Sequence, residues 1–197
     1  MLQFILYFLT LLNPFALFIY LLPLKKEVGL RNFLYILARA SLISYVIFTA
    51  FALFGVGIFN LLQINFEAFR IFGGLVLISF ALVFIIQGKK SMVTTKGELS
   101  QIAAEVALPF LVGVGTITVS ILIGESMNHL MAATTIFIVL AINYAAVAAL
   151  ALLRFSLRPR LREVFDQNAE IIVRLNGFIV GAFGANLLLE GVKNLLA

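Results

Sequence analysis

The chain has 197 residues, 63% of them hydrophobic and 12% charged, against roughly 45 to 50% apolar and 25% charged in a soluble domain. Fourteen Lys and Arg and nine Asp and Glu cannot supply the polar surface that a water-soluble fold of this size needs. The expected solvent is the bilayer, and at roughly 20 residues per crossing up to about six spans fit in a single transmembrane domain. Cysteine is absent, which excludes disulfides, thiol nucleophiles and iron–sulfur centres. The single histidine, His129, stands beside Glu125 and Asn128 without a ligand cluster, so no metal and no cofactor are expected.

In chain order, apolar segments fall at about 2–24, 34–59, 68–87, 105–124, 130–153 and 171–189. Uncharged runs such as Val106–Ile123 and Leu130–Leu153 do not alternate, whereas membrane strands are shorter and alternating, so the segments read as helices. The fold class is an all-α integral membrane protein with six transmembrane helices. Met1–Leu12 has no basic n-region and no small-residue cleavage site, and is expected to stay as the first span. Loop one holds Lys25, Lys26 and Arg31, loop three Lys89, Lys90 and Lys96, and loop five Arg154, Arg158, Arg160 and Arg162, while loops two and four hold neither Lys nor Arg. The positive-inside bias then makes the odd loops cytoplasmic and both termini extracellular, in a multi-pass protein of the cell membrane. These charges flank apolar segments without a nucleic-acid recognition module, so lipid headgroups are the expected partners and nucleic acid is not.

The first span is interrupted at Thr10 and at Asn13-Pro14. Pro14 has no N–H for the carbonyl four residues earlier, and Asn13 is suited to cap a segment that restarts there. Either a broken helix presents backbone groups to a ligand, or the proline makes an ordinary kink. Span two carries Ser41, Ser44 and Tyr45, and an Arg39 that must snorkel or meet an acceptor. Span three opens on Arg70-Ile71-Phe72-Gly73, which overlays Arg174-Leu175-Asn176-Gly177 of span six at an offset of 104 residues; Ala81 and Lys89 then coincide with Ala185 and Lys193. Spans one and four each carry a proline, Pro14 and Pro109. Three spans per half is an odd number, so a duplicated half enters the membrane from the opposite side. Residues 1–90 and 101–197 are expected to form inverted three-helix repeats, suited to alternating access or to a stable scaffold alone.

Span four repeats the interruption with Pro109, Gly113 and Gly115, followed by Thr116, Thr118 and Ser120. Two glycines permit non-helical torsions and close backbone approach, and the hydroxyls add uncharged donors and acceptors. Half-helices starting near Asn13 and near Gly113–Thr116 would aim free N–H groups and positive dipole ends at a carboxylate, with the opposing C-terminal ends receiving an ammonium group. Close packing of two helices is the other reading of the same small residues. Asn143 in span five and Asn186 in span six are either substrate contacts or interhelical hydrogen bonds worth about 1 kcal/mol. Glu67, Glu105, Glu170 and Glu190 all lie near span ends, so no central carboxylate identifies a proton carrier. No phosphate loop, nucleophile elbow or metal cluster points to an enzyme.

Asn13-Pro14, Arg70-x-x-Gly73-Gly74, Arg174-x-x-Gly177 and above all the run from Ala107 to Thr118, ALPFLVGVGTIT, together resemble the MarC family, also called the small neutral amino acid transporter family. The resemblance spans nearly the whole chain. It departs at Val114, where the family commonly has a proline between the two glycines. It implies a six-helix membrane protein related to the amino acid exporters, whose members include transporters of glycine, alanine and other neutral amino acids, with dependence on the proton-motive force. The expected function is thus a secondary transporter of small neutral amino acids, with Asn13, Gly113, Gly115, Thr116 and Thr118 shaping the site and a homo-oligomer as a possible assembly. A membrane scaffold, a channel, or an exporter of another small solute are the competing readings.

Overall fold

The computed structural model describes residues 1–87, 99–156 and 159–196. The described chain is all helical: α1 (Leu2–Leu12), α2 (Pro14–Tyr20), α3 (Leu22–Leu61), α4 (Phe66–Gln87), α5 (Leu99–Val106), a π-helical turn (Ala107–Leu111), α6 (Val114–Ser126), α7 (His129–Ser156) and α8 (Pro159–Leu196). It is a multi-pass integral membrane protein. Among the described residues five helical stretches are long and apolar enough to cross a bilayer: Leu2–Tyr20, Leu22–Gly55, Phe66–Gln87, His129–Ser156 and Ile171–Leu196. The sixth expected segment, 105–124, is divided by its break, which leaves α6 with 13 residues, shorter than a span.

Two expected loops are helical. Lys25, Lys26 and Arg31 sit within α3, which bends at Gly29 (φ 77°, ψ 169°), a left-handed φ that favours glycine. Loop five is shortened because α8 already begins at Pro159. Lys89, Lys90, Lys96 and Arg158 lie outside the described residues. Lys25 is buried and its Nζ donates to the Ala151 carbonyl of α7 at 3.3 Å. Arg39 is exposed with its guanidinium 5.4 Å from the centre of the Tyr35 ring, a cation–π contact rather than a buried pair.

Helical hydroxyls are mostly satisfied in the way a bilayer demands. Thr10, Ser44, Ser79, Ser120, Thr134 and Thr135 each donate to the carbonyl four residues earlier, at 2.7 to 2.9 Å, so that little polarity is shown to lipid. The buried interior is apolar and aromatic, with Phe8, Phe18, Phe33 and Phe48 fully enclosed and Phe8 edge-on to Phe48 at 5.0 Å. Phe54, Phe72, Phe137, Leu153 and Phe178 point outward, as hydrocarbon-facing side chains should.

Helices pair most extensively through α4 and α8, which run antiparallel with glycines between them. A Cβ on Gly74 would lie 2.6 Å from the Gly184 carbonyl, and one on Gly184 would lie 2.8 Å from the Gly74 carbonyl. Gly177 lies against the Ala81 carbonyl and Gly191 against the Glu67 carbonyl, each 3.0 Å from where a Cβ would stand. Steps of seven residues along α4, from Glu67 through Gly74 to Ala81, thus match steps of seven back along α8, from Gly191 through Gly184 to Gly177. Lipid tails are as apolar as leucine, so such an interface depends on van der Waals contact, which glycine maximises by letting backbones touch. A second close approach joins α3 and α6, where a Cβ on Gly124 would stand 2.9 Å from the Ala52 Cα.

Arginines close both ends of the α4–α8 pair. Arg70, itself buried, holds Glu67 at 3.1 Å and also pairs with Glu190 of α8. Arg174 of α8 donates from Nη1 to the Ile85 carbonyl, near the described end of α4.

Candidate functional site

The first helix break is made by Asn13. Pro14 disfavours a right-handed helical conformation at the residue before it, and Asn13 adopts φ 40°, ψ 75°, a left-handed conformation that asparagine tolerates better than most residues. Its N–H donates to Leu9 and its carbonyl accepts from Leu17, both at 2.9 Å, so one residue ends α1 and begins α2. The side chain serves both directions: Oδ1 accepts from the Ala16 N–H at 3.2 Å, and Nδ2 donates to Asn176 Oδ1 of α8. Asn176 Nδ2 in turn donates to the Tyr20 hydroxyl at 2.8 Å. Pro14 leaves the Thr10 carbonyl without its helical donor.

This chain of amides borders a cavity of about 210 Å³ between α1–α2, α4 and α8. Asn13, Asn176 and Tyr20 form its polar edge; Leu11, Leu17, Leu77, Phe80, Phe84 and Val180 supply most of its apolar wall. Tyr20 is stacked on Phe84 with centroids 4.5 Å apart.

The second break lies in the π-helical turn around Pro109. Leu108, the residue before proline, has φ −115° and ψ 111°, the extended conformation that proline imposes on its predecessor. Val112 and Gly113 are also extended, and α6 then begins at Val114. Thr116 holds the new helix start: its Oγ1 accepts from the Gly113 N–H at 2.9 Å and lies 2.8 Å from the Gly113 carbonyl and 3.1 Å from that of Leu111. The glycines are not required by their torsions here. Gly113 has φ −123°, open to any residue, with nothing within 4 Å of a Cβ, and Gly115 is helical with only ordinary contacts. The break falls at Pro109, as expected, and Thr116 holds the start of the next helix.

The helix that follows the second break packs on α1 and α4 beside the first. A methyl at Gly115 would stand 3.6 Å from Leu11 and from Leu77, both of which line the cavity. Val114, the first residue of α6, presses on Gly73 of α4, where a Cβ would come within 2.8 Å of its Cγ2. The cavity is thereby lined by α1–α2, α4 and α8, with α6 behind Leu11 and Leu77.

Of the residues singled out from sequence, Asn13 lines the cavity, Gly115 backs its wall, and Gly113 and Thr116 shape the second break. Thr118 and Asn143 are buried but do not line it. The Thr118 hydroxyl and both amide atoms of Asn143 have no hydrogen-bond partner among the described residues. Asn186 is not brought to the cavity; it is exposed and donates to Glu190 at 3.1 Å, steadying the carboxylate that meets Arg70. Two contributors are not among the expected binding residues, although the sequence places Asn176 with Asn186 among the polar residues lining span six. Asn176 was visible only as an amide where the matching position, Phe72, is a lipid-facing ring, and Tyr20 carried no signal beyond its phenol.

An unpaired buried amide costs about 1 to 3 kcal/mol. Asn143→Leu, close in volume and free of polar atoms, is therefore expected to raise stability by that amount, measured as the midpoint of thermal unfolding in detergent. A lowered midpoint would show that the amide is bonded in the working protein.

The chain matches the family described as MarC family integral membrane protein over residues 1–196. It is 27% identical over 199 residues to a UPF0056 membrane protein of Aquifex aeolicus, covering 95% of this chain and 90% of that protein. It is 26% identical over 177 residues to a UPF0056 membrane protein of Pyrococcus horikoshii, covering 88% and 83%. No solved structure matches it. A membrane bundle with paired helix breaks, matched from end to end by one family, is thus placed: the chain belongs to the MarC family of integral membrane proteins.

Proposed function

We propose that this protein is a secondary transporter of small neutral amino acids, glycine and alanine among them, working by alternating access. The observation that carries the reading is the helix break at Asn13 beside a cavity edged by side-chain amides, with a second break at Leu108–Gly113 leading into the helix that packs on α1. Backbone groups freed at such breaks recognise charged ends of a solute without a buried formal charge, and irregular backbone at membrane depth is tolerated where it lines a cavity.

In this reading α5, the π-helical turn and α6 make one broken crossing, which brings the total to six and divides the chain into inverted repeats. The arginines support that symmetry. Shifting Arg70 by the 104-residue offset gives Arg174, and shifting Glu190 back gives Ile86, next to the Ile85 carbonyl that Arg174 holds. Each repeat therefore sends one arginine to the far end of the other repeat's third span. With the basic loops in the cytoplasm, the Arg70–Glu190 end of the pair faces outside.

The test is purified protein in liposomes, with uptake of radiolabelled alanine or glycine measured under an imposed pH gradient. Saturable, protein-dependent uptake that shows counterflow is expected. No flux for any member of a broad amino-acid panel would sink the assignment, and conductance without saturation would make the protein a channel.

A further inference from the structure

The shape of the cavity says more about the cargo than its polar edge does. One wall of it is a row of rings: Tyr20 stacks on Phe84 at 4.5 Å and 25°, and Phe80, exposed at the open side, continues the row 6.3 Å from Phe84 at 27°. Val180 of α8 also borders this apolar part. Among the described residues no charged side chain lines the cavity, so a cargo with a charged side chain would lose its hydration without compensation from them. At about 210 Å³ the space exceeds the roughly 150 Å³ that holds a benzene molecule in an engineered apolar cavity. Glycine or alanine held at Asn13 and Asn176 would leave the aromatic row uncovered.

Resting on the amino-acid transport reading above, we propose that the preferred cargo is a neutral amino acid with a branched or aromatic apolar side chain, its backbone at the Asn13–Asn176 edge and its side chain along Tyr20, Phe84 and Phe80. Glycine and alanine are then the smaller and weaker substrates. Burial of a single methylene group discriminates by about tenfold or more in well-fitted pockets, and leucine or phenylalanine offers several such groups.

The experiment measures [³H]alanine uptake into proteoliposomes in competition with unlabelled glycine, alanine, leucine, isoleucine and phenylalanine. Leucine, isoleucine or phenylalanine is expected to inhibit half-maximally at a concentration at least about tenfold below that of glycine. Val180→Phe, which fills the apolar end, is expected to lower the leucine-to-alanine preference by at least about tenfold, whatever it does to the absolute rate. The ratio in the unsubstituted protein decides the matter even where the variant fails to reach the membrane. Alanine uptake insensitive to all three large amino acids would overturn this inference and leave the transport reading intact. Absence of uptake for any amino acid would overturn both. Uptake insensitive to them but blocked by a fatty acid would give the cavity to an acyl chain and overturn the inference as well.

Discussion

Gly184→Leu is expected to drive α4 and α8 apart and to destabilise the protein by about 3 kcal/mol, the upper part of the range for overpacked interiors. The neighbours of a new Cβ are main-chain atoms: the Gly74 carbonyl oxygen at 2.8 Å and the Ile78 nitrogen at 2.9 Å, with the Ile78 Cγ1 at 3.0 Å. A flexible side chain can swing aside, but a backbone inside a helix moves only with the helix. Separation would also strain Arg70–Glu190 at one end and Arg174–Ile85 at the other. The measurement is thermal unfolding in detergent, with Gly57→Leu as the control, since a Cβ at Gly57 meets nothing within 4 Å and surface changes of that kind stay within about 0.5 kcal/mol. Equal midpoints for the two variants would refute the packing account of the α4–α8 pair.

The second large effect is expected at Asn13. Asn13→Ala removes the side-chain acceptor for the Ala16 N–H, a cap worth about 1 kcal/mol, and the hydrogen bond to Asn176, worth about another. It also puts alanine at φ 40°, where an L-residue without a local hydrogen bond is penalised by about 1 to 2 kcal/mol. Together these suggest a loss near 3 kcal/mol and, with the cavity edge gone, abolished amino-acid flux. Asn13→Gly separates the two roles. Glycine accepts the torsion and caps nearly as well as asparagine, so stability is expected to recover to within about 1 kcal/mol of the unsubstituted protein while flux stays low. Full flux in Asn13→Gly would show that the break matters and the amide does not.

Much of this architecture was legible in the sequence because hydrocarbon is a strict solvent. Uncharged runs of about 20 residues had to be helical, and the two prolines could not sit inside uninterrupted hydrogen-bond ladders. Both breaks were therefore found near Pro14 and Pro109. Their detail was less legible: Pro109 and Thr116 were both singled out, but the sequence did not show that the extended conformation falls on Leu108 or that the Thr116 hydroxyl bonds the Gly113 N–H. Helix ends were misplaced at Lys25–Arg31 and before Ile171 because charged residues, read as loop, are compatible with helix at a membrane surface. Asn186 and Asn176 are both asparagines of α8, and only the helix rotation, a tertiary quantity, sends one to Glu190 and the other to Asn13. Span counting met the same limit, since a helix cut in two no longer has the length by which spans are recognised.

The seven-residue spacing of the α4–α8 contacts has a consequence for shape. A straight α-helix of 3.6 residues per turn drifts by about 20° for every seven residues. Main-chain contact kept from Glu67 to Ala81 and from Gly191 to Gly177 therefore requires the two helices to coil around each other with a left-handed sense. Their axes then cross at an angle, so that the pair forms a twisted post rather than a straight one, and what is packed on α4 at one end is turned relative to what is packed on α8 at the other.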